Sequence, residues 1–320
     1  MKKILNDPYQ YVDEMLAGLC SAHPELYRQA GEAGRVIARS EKIKNGKVGI
    51  VSGGGSGHLP IFTGYVGQGL LDACAIGDVF ASPSVDQMAD AMREANGGAG
   101  ILRLYGNYGG DVMNFDMAGE MLEMEDVESS TVLLADDVAS ASKQEREKRR
   151  GVAGMVYAFK IAGAAAEEMN NLNEVTRIAQ NAADACHSVG AALTPCTVPQ
   201  AGKPTFEISD DEMEMGMGIH GEPGVWRGKI KKADEIANEM IDMLLADMDL
   251  TSSSRVSVLV NSLGATPPEE LYILYRIVKS RMEEVGAEIV MPLVGRYATS
   301  MEMTGAVSYT HLTLPTNLCV

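Results

Sequence analysis

The sequence predicts an α/β chain of two domains, each a largely parallel or mixed sheet flanked by helices. Three observations carry that expectation. From residue 48 onward, short β-rich runs alternate with stretches bearing apolar residues at helical spacing. Several of the runs end in glycine-rich loops, which is the strand–loop–helix order of α/β units. A length of 320 residues and a hydrophobic fraction of 46% provide core enough for two domains of ordinary size.

The elements follow in order. Residues 48–51 read as a strand running into Gly53-Gly54-Gly55-Ser56-Gly57-His58. Further strands are predicted over 71–76, 100–105 and 131–135, the last ahead of Asp136-Asp137, with helices over 84–96 and 111–124 between them. Two long helices, 151–169 and 173–189, close the first domain, and a Pro- and Thr-rich passage from Leu193 to Pro199 follows. The domains are therefore set at 1–188 and 189–306. In the second, the methionine-rich run 213–217 reads as strand and core packing. A helix over 231–245, a strand over 255–260, a helix after Pro267-Pro268 to about Val285 and a strand over 288–291 complete it. From Val307 the chain shows neither helical period nor a strand boundary. Residues 307–320 read as an atypical, non-native tail, and His311 and Cys319 are given no functional part.

Composition excludes several functions. A net charge of −17 opposes binding to a phosphate backbone, which requires clustered Lys and Arg. The five cysteines are scattered without a Cys-x-x-Cys pair, so they read as reduced thiols rather than a disulfide framework or zinc site. Met1-Lys2-Lys3-Ile4-Leu5 meets Asn6, Asp7 and Pro8 before an apolar signal core develops, and no apolar run reaches the ~18 residues of a membrane span. A cytoplasmic location is the expectation.

Three loops offer chemistry. In Gly53–His58 a dinucleotide fingerprint would need glycine where His58 stands, and a Walker loop would need Gly-Lys-Ser/Thr. What remains is a glycine-rich nest at a helix N-terminus, with Pro60 near the first turn, whose N–H groups suit hydroxyl, carbonyl or phosphate oxygens. The competing reading is a tight turn with His58 merely exposed. Asp111, after Asn107-Tyr108-Gly109-Gly110, reads equally as an N-terminal-turn carboxylate or a site residue. His58 and Asp111 both follow predicted strands, so the fold class places them at the same sheet edge, where sites of such sheets lie. His220, in Met217-Gly218-Ile219-His220-Gly221-Glu222-Pro223-Gly224, has glycine neighbours that give access to an imidazole able to act as base, ligand or nucleophile. Asp136-Asp137 is expected to cap and turn rather than bind metal. His23 and His187 lie in helix-like surroundings and are given no role.

Taken together, these motifs resemble the dihydroxyacetone kinase family, specifically the substrate-binding K subunit of its phosphotransferase-system-dependent type. Lys148-Arg149-Arg150-Gly151 and Lys160-Ile161-Ala162-Gly163-Ala164-Ala165 are similar to that family too, and the resemblance runs to about Ala306. It implies a homodimer and a histidine, here His220, that adds to the ketone carbonyl as a hemiaminal, rejecting polyols such as glycerol by bonding. It implies Asp111 as general base with His58 assisting, and Gly55, Ser56, Gly57 and Gly106 lining the substrate pocket. The family often carries a lysine where this chain has Gly106, which opens the site to a longer ketose such as erythrulose. No ATP loop is present; the resemblance assigns ADP or ATP and Mg2+ to a separate nucleotide-binding L subunit. Two rivals stand beside this reading: a non-catalytic, ketose-binding regulatory relative, and a metallohydrolase with His58, Asp111 and His220 as ligands.

Overall fold

A computed structural model describes residues 2–312. The chain divides into two compact units. The first holds residues up to Leu133 together with Met155–Ala183 and Val198–Gly202. The second holds Leu134–Gly154, Asp184–Thr197 and the chain from Lys203 on.

In the first unit, helix α1 (Tyr11–Ala22) precedes strands β1 (Tyr27–Ala30), β2 (Val36–Arg39), β3 (Lys47–Ser56) and β4 (Ala73–Val79). Then come α2 (Val85–Ala95), β5 (Gly98–Gly106), α3 (Gly109–Glu123) and β6 (Ser129–Leu134), with α4 (Gly154–Glu167) and α5 (Leu172–Asp184) after them. The strand order is β1-β2-β4-β3-β5-β6. β3 pairs in parallel with both β4 and β5, while β1–β2 and β2–β4 are antiparallel, so the sheet is mixed. Helix α2 begins at a capping box: Ser84 Oγ accepts from Gln87 N–H, and the Gln87 amide oxygen accepts from Ser84 N–H. Its Met88 and Met92, with Phe115, Ala118 and Leu122 of α3, pack on Val51, Ala75, Ile101 and Tyr105 of the sheet. A buried ion cluster closes one end. Asp72 accepts from Arg39, Lys47 and the Ile50 N–H, and Glu167 of α4 pairs with Arg39 and Lys44. Each buried charge there has an opposite partner, which is the condition for tolerating it.

The second unit contains β7 (Cys186–Thr194), β8 (Glu212–Met215), β9 (Trp226–Lys229), α6 (Ala233–Asp247), β10 (Arg255–Ser262), α7 (Pro268–Glu284), β11 (Glu288–Gly295) and β12 (Thr304–Leu312). Its order is β11-β10-β12-β7-β8-β9, with only the β10–β11 pair parallel. Met213 and Met215 of β8 are fully buried against Met240 and Leu244 of α6, as the methionine-rich run predicts.

Four expectations are corrected. Gly53–Ser56 is not a nest at a helix N-terminus but the last four residues of β3, and the segment after it forms turns and a short 3-10 turn at Thr63–Tyr65. The helix predicted to 189 stops at Asp184. Small residues there continue a helical period, but pairing with β8 and β12 claims the backbone from Cys186. His187 therefore sits on a strand, where its Nδ1 bonds Asp247 at 2.7 Å, and is not on a helix. The stretch from Val307 continues β12, the strand between β10 and β7, as far as Leu312; residues 313–320, with Cys319, lie outside the described residues. Finally, a single cut at 188/189 does not follow the units. Residues 134–154 belong to the second, held there by Val138 N–H to Ser188 O and by the Arg149–Asp247 pair.

Candidate functional site

In the first unit, parallel pairing sets Val51 opposite Arg103, so β3 and β5 end at the same edge of the sheet. His58 lies two residues beyond the end of β3, and Asp111 is the third residue of α3, just beyond β5. The edge position deduced from fold class is what the structure shows for both. Asp111 is buried (8% exposed) in the first helical turn, where unpaired N–H groups and the helix dipole favour a carboxylate. His58 is also buried, its ring stacked on Phe80 with centroids 4.9 Å apart.

The segment from Phe80 to Ser84 has a part that sequence reasoning missed. Phe80 N–H donates to Ser56 O, and Asn114 of α3 donates to Pro83 O. A Cβ on Gly55 would stand 2.7 Å from Ala81 N, and one on Gly110 would stand 2.6 Å from Ser82 Oγ. Glycine at both positions lets one segment touch both loops, so it fixes His58 and Asp111 from the same side. The only local signal was the Ser84–Gln87 cap; the contacts themselves are non-local. Ser56 and Gly106 are buried at the ends of their strands.

In the second unit, His220 stands in the turn after β8. Gly216 N–H donates to Gly190 O, and Gly221 N–H donates to Gly218 O. Glu222 grips the residue two positions before it: one oxygen accepts the His220 N–H at 2.9 Å, and the other lies 2.9 Å from His220 Nδ1. Burial raises the Glu222 carboxyl, but the bonds and charge from the His220 ring, with backbone N–H groups, outweigh it and bring it down to about 2. Glu222 is therefore ionised and can only accept, which makes Nδ1 the donor of that bond and, whenever the ring is uncharged, puts its lone pair on Nε2. The ring keeps 24% of its surface open.

Arg150 supports this loop from below, donating to Gly216 O at 3.0 Å and pairing with Asp137. Burial, against the pull of Arg150, raises Asp137 to about 6. A Cβ on Gly218 would stand 2.6 Å from Arg150 Nη1 and displace the Glu222 carboxylate, so glycine there lets both side chains close on the loop. Asp136 accepts the Val152 and Gly154 N–H groups, the capping role expected of that pair. Glu222, Arg150 and Phe80 are the functional neighbours that sequence reasoning left without a role. Among the described residues no group of three or more His, Cys, Asp or Glu side chains is arranged to hold a metal, and no helix is long and apolar enough to cross a membrane.

The Dak1 domain model matches residues 17–318. A PTS-dependent dihydroxyacetone kinase 1, dihydroxyacetone-binding subunit DhaK, of Listeria innocua is 44% identical over 305 residues, covering 95% of this chain and 92% of its own. A D-erythrulose kinase of Mycolicibacterium smegmatis is 41% identical over 95% of this chain and 52% of its own. Among solved structures, the dihydroxyacetone kinase of C. freundii superposes with a TM-score of 0.89 at 32% identity, covering 99% of this chain and 58% of that one. The dihydroxyacetone kinase operon co-activator Dha-DhaQ superposes with a TM-score of 0.87 at 30% identity, covering 93% and 91%.

Proposed function

We propose, of a chain that belongs to the Dak1 family of dihydroxyacetone kinases, that it is the ketose-binding subunit and holds its substrate covalently on His220. The observation that supports this reading is the His220–Glu222 bond on a partly open ring; in the reading, Nδ1 is held by Glu222 and Nε2 is the nucleophile. Nε2 forms a bond to the carbonyl carbon, the C=O π bond breaks, and the resulting alkoxide takes a proton from water to become a hydroxyl, leaving the ring an imidazolium. The positive charge that appears on the ring faces a carboxylate already ionised. Nothing leaves, so the adduct has the mass of chain plus intact ketone. A polyol has no carbon to accept the nitrogen and is excluded by chemistry rather than by shape.

Asp111 takes the proton of the terminal hydroxyl and His58 assists by hydrogen bond, preparing the oxygen for in-line attack on a phosphoryl group. Gly55, Ser56, Gly57 and Gly106 line the pocket. ADP or ATP with Mg2+ belongs to a separate nucleotide-binding L subunit, and this chain works as a homodimer in the cytoplasm. Mass spectrometry of the chain incubated with dihydroxyacetone tests the reading. The adduct is expected on His220 and absent from His220→Ala; an unmodified His220 in the folded wild type overturns it.

A second reading is favoured by Gly106 and by the likeness to an erythrulose kinase: the absent lysine leaves space for a four-carbon ketose. Comparing kcat/KM for dihydroxyacetone and erythrulose decides between them. A regulatory role is less well supported, because His58 and Asp111, the acid–base pair that phosphoryl transfer requires, are both present.

A further inference from the structure

We infer that the outer face of α3, built on Met113 and Met117, is the surface on which the nucleotide-carrying partner docks; the inference rests on the function proposed above. Among the large apolar side chains left exposed in the described residues are four methionines. Three of them, Met113 (60%), Met117 (50%) and Met124 (80%), lie on or just past this one helix. Their spacing of four and then seven residues keeps them on one side of it. The opposite side of α3 buries Phe115, Ala118 and Leu122 in the core. A helix with a polar outer face would need no methionine there, and methionine is the apolar residue most used on adaptable binding surfaces.

The reaction decides which partner covers this face. Asp111 opens the same helix, and the donor phosphoryl must come within bonding distance of the hydroxyl that Asp111 deprotonates. The protein carrying the nucleotide must therefore cover the N-terminal end of α3. At the helical rise, Met113 and Met117 stand about 3 and 9 Å along the axis from Asp111, and Met124 about 20 Å. A standard interface of roughly 800 Å² per partner has a radius near 16 Å, so it includes the first two and misses the third. Gly109, at the start of the helix, has open space where a side chain would stand, so a phosphate-bearing surface can approach the backbone. Asp116, Glu120 and Glu123 are exposed alongside the methionines. The matching surface is therefore apolar at its centre and basic at its rim.

The test compares Met113→Glu and Met117→Glu with Met124→Glu in the full-length chain, using a purified, ADP-loaded L subunit as the probe. All three sites are exposed and glutamate is a good helix former, so circular dichroism is expected to be unchanged. The first two variants should weaken L-subunit binding, and raise the L-subunit concentration giving half-maximal transfer, by roughly tenfold or more. Met124→Glu should change neither. Dihydroxyacetone binding, measured by calorimetry without the L subunit, should match wild type in all three. Normal L-subunit binding by Met113→Glu and Met117→Glu overturns this inference and leaves the ketone reading intact. A change confined to the chain's own sedimentation assigns the face to a second copy and also overturns it. A wild-type chain that neither binds the ketone nor recruits the L subunit overturns both.

Discussion

At His220 the choice of reactive nitrogen follows from a residue two positions away. An imidazole presents either nitrogen until one is tied down, and an ionised carboxylate at 2.9 Å from Nδ1 ties that one down as a donor. Glutamine in place of Glu222 keeps an acceptor but removes the charge opposite the ring as the C–N bond forms. Hydrogen bonds to charged groups contribute about 1.5–3 kcal/mol, so ketone affinity in Glu222→Gln is expected to fall roughly 10- to 100-fold in a calorimetric titration. The carboxyl is depressed in the folded state. Its contribution to stability is therefore full above the ordinary glutamate value and fades as pH falls toward about 2. Melting curves between pH 4.5 and 2 should be flatter for the variant than for wild type. An identical ketone titration for the two proteins would remove Glu222 from the account.

Among the elements, the second unit depends on a buried triad joining two of them to a connecting segment. Arg149, from the segment that precedes α4, makes two bonds to Asp247 at the end of α6, and Asp247 also bonds His187 on β7. Removing the anion takes the carboxylate away from a buried guanidinium, so Asp247→Asn is expected to lower unfolding free energy by about 3–5 kcal/mol in a urea titration. The same triad makes stability pH-dependent. Burial lowers the His187 pKa despite its bond to Asp247, with Arg146 adding to the fall. Its contribution is then present above the unfolded histidine value of about 6.5 and lost as pH falls through that window. The melting temperature of wild type should drop between pH 7 and 5.5, and His187→Asn should flatten that slope. This triad was not legible in the sequence, because a helical period running through Ala179, Ala182 and Ala183 continues into Cys186 without a break. What ends the helix is ladder pairing with strands that come later in the chain.

For the whole molecule, the strand that appeared foreign proves central. β12 lies between β10 and β7, so deleting residues 304–320 would expose the edges of both. Hydrogen exchange on the truncated chain should show loss of protection through β7, β8 and β10, with β3 and β5 of the first unit still protected; protected β7 and β10 would refute the assignment. Local sequence determined the alternation of strands and helices, the glycine loops and the edge shared by His58 and Asp111. Periodicity and strand-to-helix order act over a few residues and are read where they occur. Tertiary structure alone decided that Phe80 would support His58, that Arg150 would hold the His220 loop, and that residues 304–312 would become a strand. Each of those depends on a partner distant in sequence, and neither backbone pairing nor a buried charge declares its partner before the chain has folded.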